Sequence, residues 1–235
     1  MLRRHAFDAF LVGLSVACII LMFITSTDPL LPVLAGTAIA TLLTQFPTGN
    51  QIGFDLSVGV LTSVLMYFLI VKLPERAKRA IIRKNLSTTY DSCKQQCIAV
   101  YLGCFMNSYP ADLPKELSEQ KRFREFFKAD NGSAQTKWDA VANGLDEQKL
   151  KTLIVELEIL MAEIHFTLTS IDIQDQRSFE FLKRLSRIIY RSKNWTTEYE
   201  DTKSMLGFLW SLHSGWSWVD SYADRDPIED MISAI

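Results

Sequence analysis

The chain has 235 residues, 25 lysines and arginines against 27 aspartates and glutamates, and a formal net charge of −2, and 48% of it is hydrophobic. A balance this close to neutrality excludes a nucleic-acid binder working through a broad basic face. It also hides a split: 23 of the 25 basic and 24 of the 27 acidic side chains fall at or after Lys72, so the N-terminal third is almost uncharged.

Between His5 and Val71 there is no lysine or arginine, and the only formal charges are Asp8, Asp28 and Asp55. Such a stretch belongs in a lipid bilayer. Three apolar segments are expected in it, over residues 7–25, 30–46 and 56–73, with lengths as helices of about 28, 25 and 27 Å. The first and third are long enough to span. The second is shorter, contains Pro32 and Gly36, and is bounded by Pro29 and Pro47. Ser26-Thr27-Asp28-Pro29 makes a poor small-residue cleavage site, so the first segment reads as a retained helix and not a signal peptide.

Each segment opens with an aspartate, and Asp8, Asp28 and Asp55 are expected as helix caps that complement the helix dipole. A ring of acids built from Asp28 or Asp55 at the mouth of an oligomeric pore is the alternative. Small residues recur at helix-contact spacing as Gly13 and Ala17, Gly36 and Ala40, and Gly59 and Ser63. Thr37, Thr41 and Thr44 add a stripe of hydroxyls to the second segment. Together Gly36, Thr37, Thr41, Thr44, Gly59 and Ser63 are the candidate pore or membrane-packing face. Three segments without an internal repeat are too few for an alternating-access transporter, so any pore must come from a homo-oligomer.

The basic residues return abruptly at Lys72, in the run KLPERAKRAIIRK. Cytoplasmic flanks hold the excess of lysine and arginine, which places the large C-terminal part in the cytoplasm and the protein in the inner (plasma) membrane as a multi-pass chain. Arg76, Lys78, Arg79, Arg83 and Lys84 are the candidate contacts to anionic lipid, each surface cation contributing about 1 kcal/mol. Arg3 and Arg4 also favour the cytoplasm. Two arrangements satisfy these constraints: three crossings with the N-terminus outside, or two crossings with residues 30–46 re-entrant and both ends inside.

Beyond Glu75 the periodicity is helical nearly throughout. A long helix is expected over 75–105, with Pro74 kinking the chain or starting a new helix. Pro110 and Pro114 break it before a charged helix over 115–128. A short helix over 134–143 ends at Gly144. Asp146 caps a helix over 147–170 whose Leu150, Leu153, Ile154, Leu157, Leu160, Met161, Ile164 and Leu168 form a three-four stripe. Helices over 176–192 and 197–222 follow, the latter opened by Thr197 with Glu200 as a capping box, and Asp226-Pro227 caps a short terminal helix. The fold class is therefore all-α: two or three N-terminal transmembrane helices in residues 1–73, then a cytoplasmic helical bundle in 74–235.

The search for chemistry is mostly negative. Cys93, Cys97 and Cys104 share one helical face, but zinc cysteines come in close loop pairs, and a small buried hydrophobe is the simpler role. Glu163 and His165 are two residues apart, not the three that a bundle di-iron site needs. Asp112, Glu119 and Lys121 read as an exposed charged helix. No phosphate loop, dinucleotide fingerprint, HExxH or GxSxG occurs. No enzyme activity, metal or cofactor is expected. His213 lies among tryptophans and reads as a core or interface histidine, and Trp210, Trp216 and Trp218 are the candidate partner face.

A few short membrane helices followed by a compact helical domain resemble, in layout, small bacterial membrane effectors of anti-phage and abortive-infection systems. The likeness assigns no residue. It implies an oligomeric protein that perturbs the membrane or forms a pore under control of its cytoplasmic domain. The alternative is a membrane-anchored module that recruits a cytoplasmic protein partner.

Overall fold

The structure, a computed structural model, describes residues 2–25, 51–132, 135–217, 221–222 and 226–235. It divides into two compact units, Met1–Lys78 and Arg79–Ile235. Helices make up about four-fifths of the described residues, and two of them are long and apolar enough to cross a membrane.

In the first unit α1 (Leu2–Thr25) packs along α2 (Gln51–Tyr67), which continues into a π-helical turn, Phe68–Lys72. Asp8 near the start of α1 meets Lys72 at the end of that turn, 2.7 Å apart. The two helices therefore run antiparallel. Thr25 lies about 26 Å beyond Asp8, and Gln51 about 32 Å back from Lys72, so both sit at the opposite end of the pair. Among the described residues of this unit's apolar stretch, Cys18 and Ile24 of α1 and Ser57 and Val64 of α2 are buried.

The π turn has a local cause. Pro74 has no N–H to give the carbonyl four residues back, and its ring crowds that carbonyl. The chain widens just ahead of it, and the Leu73 N–H bonds to the Phe68 oxygen five residues back. Pro74 thus neither breaks the chain nor starts a separate helix: α3 (Leu73–Leu102) follows directly.

The second unit is a helical bundle. From α3 it takes Leu86, Tyr90, Cys93, Cys97, Ile98 and Tyr101, a stripe repeating at three and four. Then come α4 (Leu113–Glu116), α5 (Gln120–Lys128), α6 (Lys137–Gly144), α7 (Glu147–Ser170), α8 (Gln176–Ser192) and α9 (Tyr199–Ser214). A two-residue hairpin, β1 (Trp216–Ser217) with β2 (Ser221–Tyr222), precedes α10 (Pro227–Ser233). Of the α7 stripe, Leu150, Leu153, Leu157, Leu160, Met161 and Ile164 are buried and Ile154 and Leu168 are half-buried against the same core, and the helix packs on α8 through Leu182, Leu185 and Ile189.

Caps fix most boundaries. Asp146 accepts from the Lys149 N–H at 2.8 Å, Asp175 from Ser178 at 2.9 Å, and Asp226 from Ile228 at 2.9 Å. Thr136 and Asp139 form a full capping box. Thr197 with Glu200 does not cap α9. Instead the Asp201 carboxylate accepts from both the N–H and the hydroxyl of Thr196. That helix also stops at Ser214 instead of running to 222, because Gly215 turns left-handed at φ 65° and ends it, as glycine does at little steric cost. The charged helix expected over 115–128 is two helices, α4 and α5.

Candidate functional site

The surface of the first unit is the feature that asks for an explanation. Of the apolar windows in α1 and in the helix beginning at Gln51, only 17% of each is buried. A soluble core helix of this composition is mostly covered by protein. Here Phe10, Val12, Val16, Leu56, Leu65, Leu69 and Ile70 are exposed, Ile70 by 68%. Contiguous apolar surface on this scale marks contact with lipid or with protein.

The helix ends carry the polar groups. The Lys72 side chain is only 8% exposed and that of Asp8 22%, and the ammonium also lies 5.9 Å from the centre of the Tyr67 ring. Asp8 is thus inside α1 as the partner of Lys72, not a cap. Asp55 likewise falls within α2, which begins four residues before it, and Asp28 lies outside the described residues. Both corrections have one origin: the polar residues flanking each apolar run also have helical backbone, so the helices start earlier than the hydrophobic pattern does.

Gly59 and Ser63 are exposed on α2. The Ser63 hydroxyl donates to the Gly59 carbonyl at 2.8 Å, and a methyl group placed on Gly13 or Gly59 would meet no atom within 4 Å. Among the described residues nothing closes these small faces. Gly36, Thr37, Thr41 and Thr44 lie outside the described residues. On α3, Arg76, Lys78, Arg83 and Lys84 are exposed, alongside Leu73 at 55% and Ile81 at 61% exposure. Arg79 differs from its neighbours: it donates to the Ile235 carbonyl at 3.2 Å and to that of Asp172 at 2.9 Å, tying α3 to the end of the bundle.

Sequence reasoning missed a buried ionic cluster in the bundle. Lys94 is 4% exposed. Its ammonium lies 2.5 Å from Glu229, 3.2 Å from Asp91 and 3.4 Å from Asp226, and 4.4 Å from the centre of the Tyr90 ring. The Tyr90 hydroxyl donates to Asp226 at 2.9 Å. Burial works to lower the Lys94 pKa, but the bond from Glu229 and the charge of Asp226 outweigh it and leave it raised. Burial and Asp226 together push the Tyr90 phenol well up. Asp226 thus caps α10 and pins it to α3, a double role that no local pattern announces.

The residues tested for catalysis read as structure. Cys93 and Cys97 are buried, and Cys104 is half-buried with its thiol on the Val100 carbonyl. The Cys97 thiol is pushed up by its bond to Cys93 and by burial, and burial raises Cys104 to about 11. Protonated thiols are poor nucleophiles and poor metal ligands. Among the described residues no three His, Cys, Asp or Glu side chains are grouped to hold a metal ion. His165 is exposed and its Nε2 lies 2.5 Å from the Ser186 hydroxyl, but among the described residues no carboxylate is bonded to the ring to orient it as a base. Glu158 pairs with Lys193 at 3.2 Å and Glu119 with Arg122 at 2.9 Å.

His213 is a core residue, 2% exposed, its ring 5.5 Å from those of Tyr101 and Phe123. Neither ring nitrogen has a hydrogen-bond partner among the described residues, and burial, then the charge of Lys94, holds its pKa down to about 3. Trp210 is half-buried in the same aromatic cluster, 5.1 Å from Trp138 and 5.5 Å from Phe123. The Trp216 side chain and the whole of Trp218 lie outside the described residues.

No protein-family model matches this chain, and neither the curated proteins nor the solved structures contain one that is similar to it.

Proposed function

We propose that the chain is a multi-pass inner-membrane protein whose helical bundle lies in the cytoplasm and controls a non-enzymatic, oligomeric membrane domain that perturbs the bilayer or forms a pore. The observation that carries this reading is the antiparallel pair α1 and α2, apolar along its length and largely uncovered. If both helices cross the bilayer, Asp8 and Lys72 share one face of the membrane, and Thr25 and Gln51 share the other. The basic residues that follow Lys72 assign the first face to the cytoplasm. Arg3 and Arg4 then fall on the same side, which removes the conflict that three crossings would create.

Oligomerisation draws support from Gly13 and Gly59, whose small faces stay open among the described residues and admit the close approach of a helix from a second copy. Leu73 and Ile81, exposed among Arg76, Arg83 and Lys84, suit a helix resting against anionic headgroups. Inducing the full chain in bacteria beside a version truncated after Thr48, while recording membrane potential with a voltage-sensitive dye, tests the reading. Depolarisation confined to the full chain, and lost in Thr37→Leu with Thr41→Leu, is the expected result. Ion flux retained in that double variant counts against a pore lined by the threonines.

The membrane-anchored recruiting module has one observation of its own. Val155, Ile159 and Phe166, each 50% exposed, recur at four and seven along the outer face of α7 and give a partner helix an apolar strip. Val155→Asp with Ile159→Asp separates the readings: it abolishes recruitment and leaves depolarisation intact if α7 is the docking face.

A further inference from the structure

We infer that the groove between α5, α6 and α9 is a binding site for a small planar aromatic anion. The groove encloses about 850 Å³, within the range of small-molecule pockets. Among the described residues its walls carry the aromatic rings of Trp138, Phe208, Trp210 and Tyr222, bordered by the fully buried Phe127, and a single charge, Lys128. Trp138 and Trp210 are held edge to face at 5.1 Å, packed in turn on Phe123, which is fully buried. The rings are thus preorganised by the core behind them, and flat π-faces favour a flat ligand.

The charge selects the sign. The Lys128 ammonium lies 4.2 Å from the centre of the Tyr222 ring and 6.0 Å from that of Trp210, and it makes no ion pair among the described residues. No acidic side chain lines the groove among the described residues. A carboxylate or similar anion on an aromatic ring satisfies both features at once: the ring fills the aromatic box and the anion pairs with the ammonium that otherwise rests on Tyr222. The opening itself depends on Gly207, where a Cβ would meet no atom within 4 Å and a longer side chain would project into the groove. The site belongs to the bundle alone and stands or falls independently of the membrane reading.

The test uses the full-length protein in lipid nanodiscs, titrated with 2-naphthoate and with its neutral analogue 2-naphthamide. Tryptophan fluorescence is the readout, since all five tryptophans lie at or after residue 138. Saturable quenching by naphthoate, stronger than by the amide, is expected. Lys128→Gln should weaken naphthoate about tenfold and leave the amide nearly unchanged, the loss of one charge-assisted contact. Gly207→Leu should abolish saturable quenching by both probes, and because leucine favours a helix more than glycine does, its circular dichroism should show no loss of helix. Equal binding of the two probes, quenching that never saturates, or full quenching in Gly207→Leu would overturn the assignment. Lys128 is exposed, so its variant tests the charge even if Gly207→Leu misfolds.

Discussion

Acid should unfold the bundle through His213, and the size of the effect follows from its burial. In the folded unit the ring stays neutral because burial, with the charge of Lys94 adding to it, holds its pKa at about 3 in place of 6.5. In the unfolded chain the same ring takes a proton as the pH falls through 6.5. Between those two values the unfolded state binds more protons, so stability is complete above 6.5 and is lost progressively on acidification. At pH 5, one and a half units below the unfolded value, the loss is about 2 kcal/mol at 1.36 kcal/mol per unit. Of the other shifted groups, Asp146, lowered first by its bond with the Lys149 side chain, and Asp175, lowered first by its bond with the Ser178 hydroxyl, act at lower pH, and Glu156, raised by burial, acts in the opposite sense and offsets part of the loss. Lys94, the charged group acting on the ring, keeps its proton throughout. His213→Leu removes the titration. It also removes two buried nitrogens that lack partners, so at pH 7 the variant should be no less stable, and by up to about 1–3 kcal/mol more so. Urea unfolding of the full-length protein in detergent, followed by tryptophan fluorescence at pH 7 and pH 5, measures both. A His213→Leu variant that loses as much stability between the two pH values as the unsubstituted protein refutes the reasoning.

Lys94→Met strands the buried Asp226 carboxylate without its cation and should destabilise the bundle by about 3–5 kcal/mol, releasing α10 first, which hydrogen exchange over residues 227–235 detects. Two helical glycines should respond with opposite signs. Gly144→Ala drives its methyl into the Cys104 backbone and costs about 1–3 kcal/mol, whereas Gly207→Ala points into open space and gains about 1 kcal/mol, both read from thermal unfolding. In the first unit, Asp8→Leu leaves the largely covered Lys72 ammonium without its carboxylate and should lower the steady-state level of the full chain, while adding Lys72→Leu restores it.

The features legible in the sequence are those set by local chemistry. The α7 stripe follows from apolar spacing alone, and Asp146 and Asp226 cap their helices because a carboxylate beside free N–H groups needs no tertiary help. Long-range pairings were not legible. Asp8 and Lys72 are 64 positions apart, and only the antiparallel packing of α1 on α2 turns an apparent cap into an ion pair. Lys94 looks like any solvated lysine until α10 folds over it. The aromatic groove combines α5, α6, α9 and the hairpin residue Tyr222, so Lys128 carried no signal of its own. The early stop of α9 was in principle readable, since Gly215 is the residue type that ends helices, but the tryptophans on either side masked it as one continuous amphipathic run.

The central claim is a membrane hairpin with both ends on the cytoplasmic side, and side-specific cysteine labelling tests it most directly. With Cys18, Cys93, Cys97 and Cys104 replaced by alanine or serine, single cysteines at His5, Gln51 and Lys84 are exposed to a membrane-impermeant maleimide in intact and in lysed spheroplasts. The account predicts labelling of Gln51→Cys in intact spheroplasts, with His5→Cys and Lys84→Cys reacting only after lysis. Labelling of His5→Cys in intact spheroplasts, or equal labelling of all three sites, would contradict it.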